Sequence, residues 1–139
     1  MRLELTRRGD YAVRAMLRLA QAADGRPVSV RRISAAMAIP QPILPSVMRD
    51  LVRAGLAEAV AGRSGGYRLA VPAAEITLLA GIEAIEGDTR RQTCVLRGGP
   101  CSRDGQCSVH GVFFAAQEAI RLELARATLD MLTDPAGPI

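Results

Sequence analysis

Apolar positions recur with a helical period at five places along this chain, and with a two-residue period at one. Between residues 6 and 23, Ala12, Ala15, Met16, Leu19, Ala20 and Ala23 fall at i, i+3, i+4, i+7, i+8 and i+11, the stripe of an amphipathic helix. Arg14 and Arg18 share its outer face. Thr6 stands where an N-cap belongs, Asp24-Gly25 stops the helix and Pro27 keeps the next residues extended. Ser29 caps a short helix to about Met37, with Ile33, Ala36 and Met37 inward. A turn at Ala38-Ile39-Pro40 leads to a third helix with Leu44, Val47, Met48 and Leu51 on its buried face, closed by Gly55. The period then changes. Residues 56–60 and 67–71 read as short strands joined by the Gly-rich stretch 61–66, a hairpin.

Three helices followed by a Gly-rich hairpin is the order of a winged helix-turn-helix. The expected fold is mainly α with a small β-hairpin: a winged helix-turn-helix over residues 1–72, then a long C-terminal dimerisation helix over 107–132. Between them lie a connecting helix at 73–87, opened by Thr77 and stopped by Gly87, and a polar, cysteine-bearing loop at 88–106. Residues 133–139, with two prolines and a glycine, read as a flexible tail. The final helix carries Val109, Phe113, Ala116, Ile120, Leu124, Ala127 and Met131 on one stripe. At 1.5 Å per residue it spans roughly 40 Å, more than a domain of this size needs internally. A stripe that long packs against a second copy, so a homodimer is expected.

Composition narrows the function. The chain has 139 residues, enough for one domain, and 49% of them are hydrophobic but only 3% aromatic, so the core is aliphatic. All 18 basic residues are arginine, against 14 carboxylates and one histidine, for a net charge of +4. Without lysine there is no Schiff base, no pyridoxal attachment and no Walker-type phosphate loop. One histidine leaves little for triads, so no enzyme and no small-molecule substrate are expected. No apolar run reaches the 18 residues of a membrane span and no export signal is visible, which points to the cytoplasm, where thiols stay reduced.

Two constellations carry chemistry. The helix-turn-helix turns Gln41, Ser46, Arg49, Asp50 and Arg53 outward, where polar side chains reach base edges in double-stranded DNA. Arg63 and Ser64 lie at the hairpin tip, where an arginine enters a minor groove or clamps a phosphate. Arg7, Arg8, Arg31 and Arg32, with Arg14 and Arg18, add a basic set nearby. Arg7 and Arg8 oppose the dipole at a helix N-terminus, and a docked phosphate would remove that conflict. The second constellation is Cys94, Cys101, Cys107 and His110, with His110 one turn along the helix from Cys107. Three thiolates and an imidazole suit tetrahedral zinc or an iron–sulfur cluster. The intervals of six and five residues are wider than the short knuckles of structural zinc and fit something larger.

The strings MRL at the start, RGDYAVRAMLRLA at 8–20 and GRSGGYRL at 62–69, with three cysteines ahead of a long final helix, resemble one family. It is that of the dimeric winged-helix regulators including IscR and NsrR, which carry iron–sulfur clusters. The resemblance runs from Met1 to about Leu132. It implies a homodimer on a palindromic operator and a cluster on Cys94, Cys101 and Cys107 whose state controls DNA affinity. It leaves two fourth ligands: His110, as in IscR-like members with a 2Fe–2S cluster, and Asp10, donated across the dimer as in NsrR-like members with a 4Fe–4S cluster. His110 and 2Fe–2S are slightly favoured, because His110 shares a rigid helix face with Cys107. The alternative is a regulator whose thiols act directly, as a redox switch or a zinc site. Pro40, Pro42 and Pro45 crowd the start of the recognition helix, and Pro45 replaces a glutamate that reads bases in IscR-like members, so the operator sequence does not transfer.

Overall fold

The structure, a computed structural model, describes residues 3–22, 24–90, 93–100 and 107–133. Helix α1 (Arg7–Ala20) begins where Thr6 accepts a hydrogen bond from the Gly9 N–H, the N-cap expected of it. Its stripe of Ala12, Ala15, Met16 and Leu19 is buried, and the helices at residues 30–37, 44–53, 78–86 and 129–132 all pack around it. Helix α2 (Val30–Met37) is capped by the Ser29 hydroxyl on the Arg32 N–H. It ends at Ala38 in the left-handed region, φ 51°. A single 3₁₀ turn, Gln41–Ile43, then feeds α3 (Leu44–Arg53). The three prolines cost no helical bond there. Pro42 and Pro45 both occupy first-turn positions, whose N–H groups have no intrahelical partner in any sequence.

The hairpin β1 (Ala57–Val60) and β2 (Gly66–Leu69) pairs Ala57 with Leu69 and Glu58 with Arg68, which also form an ion pair across the strands. Val28 adds a third rung, exchanging backbone bonds of 2.8 and 2.9 Å with Tyr67. The glycine pair in the wing follows from this approach. Gly66 has φ 147°, and a Cβ there would overlap the Val28 carbonyl, while one on Gly65 would overlap the carbonyl of Val60.

Helix α4 (Leu78–Glu86), capped by Thr77 and stopped at Gly87, lies across α1. The contact is close because Gly81 leaves room for the Met16 thioether; any side chain there would overlap it. At its end the Glu86 carboxylate accepts the Thr6 N–H at 2.7 Å and sits over Gly9.

The last helix departs from expectation. Helix α5 (His110–Arg126) does not continue to 132; Ala127 turns extended, and Thr128 forms an antiparallel bridge with Thr77. The Leu78 N–H donates to the Ala127 carbonyl at 2.8 Å and the Leu129 N–H to that of Ile76 at 2.9 Å. A short helix α6 (Leu129–Leu132) follows. Burial decides the break: a straight helix would carry Leu129 into solvent, whereas here it is 0% exposed in the core that includes Ile76. Helix α5 contacts α4 and buries no residue completely. Val109, Phe113 and Leu124 of the expected stripe are half-buried, Ala116 and Ile120 exposed, and Val112, Phe114 and Leu122 are 67%, 57% and 56% exposed. No helix is long and apolar enough to cross a membrane among the described residues. Of the expected tail, residues 134–139 lie outside the described residues.

The glycines separate two costs. Gly55→Ala, at φ 76° in open space, should cost about 1–2 kcal/mol for left-handed backbone alone. Gly66→Ala must also break the Val28 approach and should cost more, about 3 kcal/mol. Urea titration of both variants measures the difference, and equal costs would remove the steric account of the wing.

Candidate nucleic-acid interface and cysteine site

Helix α3 and the wing both carry exposed basic residues. Arg49 and Arg53 are exposed on α3, Gln41 on the turn before it, and Arg31 and Arg32 on the first turn of α2. Arg63 and Ser64 are exposed at the hairpin tip, and Arg7 at the head of α1. Arg8 and Ser46 are half-buried and engaged within the chain. Arg8 Nη1 donates to Ser46 Oγ at 3.1 Å, and Nη2 to Asp50 Oδ2 at 2.7 Å. Asp50 lies a further 3.7 Å from Arg53. A carboxylate facing phosphates would repel them; two guanidiniums neutralise this one, and Arg8 braces α3 against α1.

Asp10 is committed as well. Arg14, four residues on, donates Nε to Oδ1 at 2.9 Å and Nη2 to Oδ2, so both carboxylate oxygens are taken. The hydrogen bond to Asp10 holds the Arg14 guanidinium above its usual pKa. Arg14 also donates to the Met37 carbonyl at 2.8 Å and stacks on the Tyr11 ring, 5.4 Å from its centre. It therefore does not lie on an outer face with Arg18; it joins α1 to the end of α2.

The structure brings Cys94, Cys107 and His110 to one cleft of about 260 Å³, walled by Val95, Leu96, Val109 and Phe113. Cys94 sits on a closed turn: its N–H donates to the Gly99 carbonyl and its carbonyl accepts from the Gly98 N–H, each at 2.9 Å. The left-handed φ values of Gly98 and Gly99 permit that turn. The His110 N–H donates to the Cys107 carbonyl at 3.0 Å, fixing thiol and imidazole at the head of α5, and the His110 ring stacks on Phe114. Cys101 lies outside the described residues, and among these no three metal-ligating side chains form a ready group. Two soft thiols and an imidazole on an apolar cleft are donors an iron–sulfur cluster or zinc accepts.

The segment before the cysteines is held by α4 and α5. Arg121, 11% exposed, donates Nη1 to Glu83 Oε1 and to Thr89 Oγ1. Thr89 donates its N–H at 3.1 Å and its hydroxyl at 2.8 Å to the same Glu83 oxygen. Gln117 Nε2 reaches the Thr89 carbonyl at 3.4 Å, and Arg90 lies 3.7 Å from Glu118. Partial burial acts to raise the Glu83 carboxyl, but the bonds from Arg121 and Thr89 outweigh it and hold the group below its usual 4.5.

The profile of the family described as Rrf2, an iron-dependent transcriptional regulator, matches residues 5–135. This chain belongs to the Rrf2 family. It is therefore a DNA-binding winged-helix transcriptional regulator. A Rhizobium meliloti relative, Protein aau3, is 33% identical over 132 residues, covering 94% of this chain and 84% of that protein. The transcriptional repressor NsrR of Streptomyces coelicolor is 28% identical over 139 residues, 99% of this chain and 93% of NsrR. The IscR structure of T. potens superposes with a TM-score of 0.74 at 30% identity, covering 96% of this chain and 88% of that one. CymR, the global cysteine regulator of B. subtilis, superposes with a TM-score of 0.83 at 23% identity, 98% and 100% covered, a likeness of fold alone.

Within this Rrf2 chain, the Arg121–Glu83–Thr89 knot escaped the sequence reading because its members lie 38 and 32 positions apart and follow no local rule. Its acid response is the available check. A carboxyl whose folded pKa lies below its unfolded value stabilises the protein above about pH 4.5 and loses that contribution as pH falls through the folded value. Glu83→Gln should lower stability at neutral pH, and the gap to wild type should close under pH 4. A gap unchanged from pH 7 to pH 3 in chemical denaturation would show that the charge on Glu83 is not what holds the knot.

Proposed function

We propose that this chain is a cytoplasmic, homodimeric transcriptional regulator whose operator affinity is set by an iron–sulfur cluster on Cys94, Cys101 and Cys107. The observation that carries the reading is the convergence of Cys94, Cys107 and His110 on one apolar cleft. His110 would be the fourth ligand and 2Fe–2S the cluster type. Asp10, the ligand of the 4Fe–4S alternative, would first have to leave Arg14, which takes both its oxygens. When bound, the cluster would supply one-electron and ligand-exchange chemistry, through which redox state, nitric oxide or iron status would be sensed. The chain's own residues hold and orient it: thiolates from the segment after α4, the imidazole from the head of α5.

Helix α5 supports the dimer, since Val112, Phe114 and Leu122 stay in water in a single chain and a second copy would cover them. On a palindromic operator, Gln41, Arg49 and Arg53 would read the major groove. Arg63 and Ser64 would reach the minor groove or its phosphates, and Arg7, Arg31 and Arg32 would neutralise backbone charge. Arg8 and Ser46 would act mainly by bracing α3. The reading includes no catalytic role, small-molecule substrate or membrane contact.

A second reading has one observation in its favour. Cys94 and Cys107 share one cleft with His110, a set that also suits a direct thiol switch or a zinc site. Protein purified without oxygen should be brown with visible absorbance, and colourless protein would decide for this second reading. The 14.8 kDa chain should sediment as a dimer near 30 kDa; a stable folded monomer would end the palindrome model.

DNA affinity tests the surface. Arg63→Ala and Arg49→Ala should each weaken operator binding by roughly 1–3 kcal/mol at fixed salt with the fold intact. Affinity unchanged in both would remove the assigned reading surface. In the proposed switch, Cys94→Ala abolishes the cluster and changes operator affinity without unfolding the dimer. Equal anaerobic affinity of wild type and variant for every site tested would leave the cysteines no regulatory role.

A further inference from the structure

Between Asp24 and Glu58 the chain carries five arginines and one carboxylate, Asp50. That carboxylate stands on α3, the helix proposed to enter the major groove, and its side chain is 26% exposed. Arg8 Nη2 meets its Oδ2 at 2.7 Å, and Arg53 lies 3.7 Å from its Oδ1. The two arginines are held differently. Arg53 is 74% exposed on α3 itself, whereas Arg8 comes from α1 and is fixed a second time by Ser46, 3.1 Å from its Nη1. A major groove about 12 Å wide closes on a helix about 10–12 Å across. A carboxylate on a docked helix therefore lies within about one Debye length, roughly 8–10 Å, of phosphates. At that range a bare negative charge costs affinity for any duplex, whatever its sequence.

We propose that Asp50 limits the affinity of α3 for DNA and that Arg8 is the counter-ion that holds this cost down. The carboxylate serves the fold, accepting the charge-assisted bond that ties α3 to α1, and Arg8 cancels its charge toward the phosphates. The two effects have opposite signs. Removing the charge loosens the brace and strengthens the attraction to DNA, whereas a residue that only braced α3 would lose stability and affinity together. The inference rests on the assignment of α3 as the reading helix.

The test titrates the full chain against a random-sequence duplex and against the tightest duplex recovered from a random library, over a range of salt. Asp50→Asn keeps the shape and an acceptor for Arg8 and removes the charge. It should bind both duplexes about three- to tenfold more tightly, with the slope of log affinity on log salt steeper by about one. Its urea midpoint should fall. Arg8→Gln should weaken both by a similar factor, and Arg8→Gln with Asp50→Asn should return to within about twofold of wild type. Arg8→Lys keeps the charge but not the fork that holds Asp50 and Ser46 together, so it should stay near wild-type affinity. Unchanged or weaker binding by Asp50→Asn overturns the proposal; weakening confined to the selected duplex would mean that Asp50 accepts from a base edge instead. A double variant as weak as Arg8→Gln alone, or Arg8→Lys falling to that level, also overturns it, because Arg8 would then act only as a brace. Arg49→Ala separates this failure from that of the reading helix. If it weakens binding while Asp50→Asn does not strengthen it, α3 still reads DNA and the inference alone falls. If neither variant changes affinity, α3 does not face the duplex and both fall.

Discussion

The fold is hung on α1, against which α4 packs with the Met16 thioether in the space that Gly81 leaves. Because position 81 carries no side chain, the helix behind the wing lies flush with the central helix of the DNA-binding unit. Dispersion between packed surfaces weakens steeply with a gap of half an ångström, so this approach makes the two helices one body. The recognition helix, the wing and the segment leading to the cysteines all take their positions from that body.

The first turn of α1 is where the parts meet. On one side the Glu86 carboxylate, just ahead of the cysteine segment, accepts the Thr6 N–H. On the other, Arg8 grips Ser46 and Asp50 of the recognition helix. Both contacts are charge-assisted bonds, the first at the surface and the second partly buried. Thr6 and Arg8 thus tie the end of α4 and the base of α3 to the same end of α1. Asp10, in the same turn, closes on Arg14 and through it on the end of α2.

Local rules made most of the fold legible. Caps at Thr6, Ser29 and Thr77 and stops at Gly55 and Gly87 act over three or four residues and stand where the sequence places them. The proline run was ambiguous because Pro42 and Pro45 both fit a helix start; the choice of Leu44 depends on burying Leu44, Val47 and Met48 together. The break at Ala127 was illegible because period alone favours continuing the helix. Only the distant Thr77 edge and the pocket for Leu129 reverse that preference. At the site, the sequence pointed to Cys94, Cys107 and His110, which share a cleft, and to Cys101, which lies outside the described residues. It could not show that Arg8 and Ser46 are engaged inside the chain, since pairs chosen by three-dimensional proximity leave no spacing behind, whereas the Asp10–Arg14 pair keeps the i,i+4 spacing of a helix.

The return of Leu129 to the core has a consequence for how the molecule is made. The bridge between Thr77 and Thr128 closes a loop of some fifty residues, and the apolar centre of the DNA-binding unit lacks a fully buried member until that loop is closed. Closing so long a loop costs entropy that only the completed contacts offset. On the ribosome, residues 1–87 emerge with an unfilled hole beside Ile76 and stay incomplete until the chain near residue 129 has left the exit tunnel. The core of the DNA-binding unit is thus completed by residues that follow the cysteine segment in the chain.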